Sequence, residues 1–104
     1  MPEFLIETYI PGDAADVAAL RAGDAALAAE QVREEGAQIR FLRAIFVPED
    51  ETCFYLYQSP SAEAVRDAVT RARLPFERIT QAVSISPHRS AADPDGLGHR
   101  TYRP

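Results

Sequence analysis

Five side chains with the chemistry of a ligand site lie on stretches of the chain that alternate as strands do. They are Glu7, Tyr9, Arg43, Tyr55 and Tyr57. If one sheet face carries all five, their carboxylate, guanidinium and phenols line a partly apolar pocket for a small molecule. A slip of one residue in strand pairing moves a whole set to the other face. The same residues therefore also fit a Glu–Arg ion pair with tyrosines packed at a subunit interface.

The only imidazoles of the chain come late in the sequence. His88 and His99 are 11 residues apart, with Asp93 and Asp95 between them. Imidazole nitrogen is a common ligand of transition metals, so these two histidines are the candidate metal ligands. Their wide spacing also fits two solvated tail residues. Cys53 is the single cysteine and lies in an apolar run, which favours a buried thiol over a nucleophile.

Six segments must position these side chains. Apolar, β-rich runs predict strands at 2–10, 39–47, 52–59 and 78–86, and residues 13–35 and 61–72 predict two helices. The order βαββαβ predicts a ferredoxin-like α+β fold, in which a four-stranded antiparallel sheet carries both helices on one face. The strands are apolar on both faces, and two helices cover only one face. We therefore expect a homodimer that buries the other.

The chain divides into one domain and a tail. Residues 1–86 form the predicted ferredoxin-like domain, whose first helix carries an alanine-diluted stripe of Val17, Leu20, Leu27 and Val32. From residue 87 onward the chain carries Pro, Gly, Asp, Ser and His with almost no apolar periodicity. Residues 87–104 are therefore predicted to be a flexible C-terminal tail.

Composition excludes several functional classes. All 11 basic residues are arginine, and the absence of lysine excludes Schiff-base chemistry, pyridoxal phosphate anchoring and a P-loop lysine. The net charge of −5 argues against a nucleic-acid partner. No apolar run approaches the ~20 residues that cross a bilayer, so we expect a cytoplasmic protein with no membrane partner. Arginine and alanine without lysine suggest a GC-rich, actinobacterial genome.

Several segments, taken in order, resemble a known family. They are Phe-Leu-Ile-Glu at 4–7, Ile-Arg-Phe-Leu-Arg at 39–43, the stretch 53–60, and Arg-Ala-Arg-Leu-Pro-Phe-Glu-Arg-Ile at 71–79. The family consists of small, mostly uncharacterised bacterial proteins with a ferredoxin-like fold, one of which is described as a nickel-binding protein. The resemblance covers about residues 2–86 and implies that fold, with nickel as the metal to consider. The chain departs from the family pattern at Arg43 and Gln58, near which many members carry a histidine and an acid.

Three functions fit these observations. The preferred one is a small dimeric binding protein for a metal ion, such as nickel, or for a small organic ligand. The second is a cofactor-free enzyme of the isomerase, cyclase or monooxygenase type, with Glu7 as base and Arg43 or a tyrosine as oxyanion stabiliser. The third is a structural interaction module without a ligand. A closed cavity with Glu7 beside Arg43 favours the enzyme, and a filled interface favours the module.

Overall fold

The alternating segments pair into one antiparallel sheet, and the two helices pack together on one of its faces. The structure is a computed structural model that describes residues 1–87. Its elements are β1 (Glu3–Tyr9), α1 (Ala15–Glu34), β2 (Arg40–Val47), β3 (Thr52–Gln58), α2 (Ala62–Arg71) and β4 (Phe76–Ala82). The strand order β2-β3-β1-β4 confirms the predicted ferredoxin-like fold. Neither helix within residues 1–87 has the length and apolar character to cross a membrane.

The core lies between the sheet and the helices. Phe4 and Ile6 point into it from β1, because alternate residues of a strand share a face. The helix α2 contributes a buried apolar stripe of Val65, Ala68 and Val69. Its N-terminus is capped by Ser61, whose hydroxyl accepts hydrogen bonds from two backbone N–H groups of the first turn.

The helix α1 turns a different stripe to the sheet from the one predicted. Val32 is buried as expected, but Leu20 and Leu27 are 70% and 59% exposed. The rest of the buried face consists of alanines: Ala18, Ala25, Ala28 and Ala29. Since alanine has the shortest apolar side chain, this face lets α1 lie close to the sheet, and the leucines fall outside the contact.

The last strand starts and ends earlier than predicted. It covers Phe76–Ala82 rather than 78–86, and its last residue stands opposite the first residue of β1. Beyond that point β1 has ended, and the residue preceding it, Pro2, has no N–H to donate to a ladder. Val83 and Ile85, which the predicted strand included, are therefore outside the sheet and largely exposed.

Candidate functional site

The candidate functional surface is the sheet face that the helices leave uncovered, here called the open face. Directly opposed residues of antiparallel strands share a face, so the register defines its rows. One row across the sheet is Ile45, Phe54, Glu7 and Arg78, and the next is Arg43, Leu56, Leu5 and Thr80. Apolar side chains cluster on β2, β3 and β1. Glu7 and Arg78 lie towards β4, and Arg43 lies on the edge strand β2.

Glu7 and Tyr9 are on the open face of β1, as the pocket hypothesis requires. Glu7 faces Arg78 of β4, whose Nε lies 3.5 Å from the carboxylate Oε1. The guanidinium is largely exposed, so this is a surface ion pair worth less than about 1 kcal/mol. Sequence reasoning missed Arg78 because it considered Arg43 as the partner. The strand order of the fold could have indicated Arg78, because β4 pairs with β1 and places Arg78 opposite Glu7.

Arg43 is also on the open face but is not next to Glu7. It stands opposite Leu56 of β3, whereas Glu7 is on β1, beyond that strand. Neighbouring strands are ~4.8 Å apart, which separates the two backbones by roughly 10 Å. Arg43 is exposed and forms no ion pair with any residue of 1–87. An unpaired guanidinium beside apolar side chains can bind an anionic group attached to an apolar one.

Tyr55 and Tyr57 lie on the opposite face, fully buried beneath the helices. Because Phe54 and Leu56 occupy the open face, alternation sends the two tyrosines into the core. The structure therefore does not bring the five predicted residues together. Neither phenol oxygen has a hydrogen-bond partner within residues 1–87. Burial raises the pKa of Tyr55 to about 12 and raises the pKa of Tyr57 above its ordinary value as well.

The predicted metal ligands His88 and His99 lie outside the described residues. Within residues 1–87, no group of three or more His, Cys, Asp or Glu side chains could hold a metal ion. Cys53 is free and buried as predicted, and desolvation raises the pKa of its thiol, which disfavours the thiolate that binds metals. The described part of one chain does not fit a nickel ion by itself.

Comparison with known proteins gives one family. The family model described as nickel responsive protein SCO4226-like matches residues 4–82, which is nearly the whole of the described fold. No curated protein and no solved structure gives a significant match. Because the model covers more than half of the 104 residues, the chain belongs to the SCO4226-like nickel responsive protein family.

Proposed function

We propose that this protein is a small homodimeric binding protein that takes up nickel, with His88 and His99 supplying the imidazole donors. The observation that carries the proposal is the match of the nickel responsive family model over residues 4–82. Nickel prefers imidazole nitrogen over the carboxylates that dominate this acidic chain. The two histidines are the only imidazoles in the sequence.

The side chains of residues 1–87 support a nickel site whose ligands come from outside that part of the chain. Glu7, the carboxylate nearest the middle of the open face, faces the guanidinium of Arg78. The thiol of Cys53 is buried in the core. Residues 1–87 therefore offer no carboxylate cluster and no accessible thiol to compete with the two imidazoles.

A second copy of the chain is the occupant we propose for the open face. Ile45 is 45% exposed there, and Phe54 and Leu5 are only half-buried although they lie in the middle of the sheet. Contiguous apolar side chains on an exposed sheet face are a common mark of a protein–protein interface. Self-association would cover it, and it would bring two copies of each histidine into one particle.

Calorimetry of the full-length chain with nickel tests the proposal. We expect the double variant His88→Ala/His99→Ala to lose binding, while Glu7→Gln, which removes an open-face carboxylate, keeps it. Protons compete for imidazole near its ordinary pKa of ~6.5, so the affinity of the wild type should fall steeply below that pH. Unchanged, tight binding by the double variant would overturn the proposal and indicate a site in the folded body.

A small organic ligand on the open face is the second candidate. The specific observation is Arg43, an exposed guanidinium without an ion-pair partner among residues 1–87, opposite the apolar Leu56. Arg43→Gln separates the two candidates. It should abolish binding of an organic ligand there and leave nickel uptake unchanged.

A further inference from the structure

A cleft runs along one edge of the molecule, where α1 passes beside the edge strand β2. It consists of two adjoining cavities of about 320 and 350 Å³, and both are lined by Arg33 of α1 and Arg40 of β2. Leu27, Glu30 and Phe41 line the first of these cavities as well. Each volume is in the range of small-molecule sites.

The cleft is positive on a domain whose net charge is negative. Residues 1–86 hold 8 arginines and 14 acids, a net charge of −6. In the cleft, two guanidiniums face the single carboxylate of Glu30, which binds Arg33 at 3.0 Å. Arg40 is exposed and has neither an ion pair nor a side-chain hydrogen bond with any residue of 1–87. The guanidinium of Arg33 also donates to the backbone carbonyl of Ile39 at 3.5 Å. An anion would therefore find one free guanidinium and a second that is shared with Glu30 and that carbonyl.

The wall beside these charges is apolar. Leu27 is 59% exposed, and its side chain lines the cleft instead of entering the core. Phe41 lines the same cavity, and its ring is held edge-on against the buried ring of Tyr57, with 5.4 Å between the centroids. A ligand body lying against Leu27 and Phe41 would remove apolar surface from water.

We propose that this cleft binds a small organic carboxylate with an apolar body, such as an aryl or alkyl carboxylic acid. The carboxylate is held by Arg40 and Arg33, whose forked N–H groups match its two oxygens. The apolar body lies against Leu27 and Phe41. The site lies off the open face and uses neither His88 nor His99, so the inference does not depend on nickel uptake.

The first test is a titration of the full-length chain with phenylbutyrate, followed by calorimetry and by the NMR signals of the arginine Nε–H groups. We expect saturable binding with shifts at Arg33 and Arg40. Phenylbutanol, which lacks the charge, and inorganic phosphate, which lacks the apolar body, should each bind more weakly. Phosphate binding as tightly as phenylbutyrate would overturn the proposed class of ligand.

Single substitutions test each wall of the cleft. Arg40→Gln should weaken phenylbutyrate binding about tenfold, the usual scale for losing a charged hydrogen-bond donor. The matched control Arg66→Gln removes one exposed arginine from α2 and should leave the affinity unchanged. Leu27→Ala should weaken phenylbutyrate binding without changing phosphate binding.

One substitution should improve the site. Glu30→Gln releases the guanidinium of Arg33 from its ion pair and should tighten phenylbutyrate binding several-fold. Equal affinities in the wild type, Arg40→Gln and Glu30→Gln, or an absence of saturable binding, would overturn the proposal. A loss with Arg43→Gln but not with Arg40→Gln would also overturn it, because it would put the ligand on the open face.

Discussion

The two phenols of β3 are poorly matched to their surroundings. Tyr55 and Tyr57 are fully buried, and their hydroxyl groups have no hydrogen-bond partner among residues 1–87. A buried polar group without a partner costs free energy of folding, whereas the ring itself contributes apolar burial. In each residue the ring therefore stabilises the fold and the hydroxyl opposes it.

Removing one phenol oxygen tests this account. We expect Tyr57→Phe to leave the free energy of unfolding unchanged or to raise it by up to about 1 kcal/mol at pH 7. Tyr55→Phe should behave in the same way. Urea denaturation measures both. A loss of more than about 1 kcal/mol in either variant would mean that the hydroxyl is in fact satisfied in solution.

The same substitution should flatten the alkaline limb of the stability curve. Burial raises the pKa of Tyr57 in the folded state, so the folded protein holds this proton more tightly than the unfolded chain does. That contribution is fully present below the ordinary tyrosine pKa of about 10, and it is lost as the pH rises towards the folded value. Wild-type stability should therefore fall above about pH 10, and Tyr57→Phe should reduce the slope.

At the candidate site, the sequence predicted which residues share a face but not which face that is. Both alternating sets of β3 are apolar, one with Tyr55 and Tyr57 and the other with Phe54 and Leu56. Alternation alone cannot choose between two apolar sets, because either could face the helices. The face of Glu7 was easier to assign, because its alternating set on β1 contains a carboxylate, whereas the other set, with Phe4 and Ile6, is mainly apolar. Predicting the Glu7–Arg78 ion pair also required the strand order, which places β4 beside β1.

At the scale of elements, α1 is a helix that packs through its smallest side chains. The sequence predicted its extent closely, since Ala15–Glu34 falls within the predicted 13–35. The prediction of its buried stripe was wrong, because leucine is more hydrophobic than alanine and therefore dominates any apolar periodicity. Alanine is common on both buried and exposed helix faces, so its spacing carries little information. Only the distance between α1 and the sheet decides which side chains fit.

Enlarging this face should be costly. Ala25 is fully buried in α1, and Ala25→Leu forces extra volume into the core. We expect a loss of about 1–3 kcal/mol in the free energy of unfolding, the usual cost of overpacking a core. The control Leu20→Ala removes a 70% exposed side chain from the same helix and should change stability by about 0.5 kcal/mol or less. Equal effects in the two variants would mean that α1 packs through its leucines.

At the scale of the whole molecule, the sequence predicted the number and order of the strands and helices, but not where the last strand ends. Four strands and two helices in the order βαββαβ leave one sheet face without helices, whatever the register. The early end of β4 depends on where β1 begins, and a pattern read along one segment does not contain that information. The open face therefore follows from the element order alone, whereas its covering by a second copy depends on the side chains that it presents.

Placing a charge in the middle of this face should separate the subunits. We expect light scattering of the wild type at micromolar concentration to give about twice the 11.5 kDa chain mass, and Ile45→Glu to give the mass of one chain. An unpaired carboxylate buried between two sheets costs several kcal/mol, because no water remains to solvate it. The control Leu20→Glu puts the same charge on an even more exposed leucine in the helical layer and should remain dimeric. A monomeric wild type, or dissociation of Leu20→Glu alone, would contradict association through the open face.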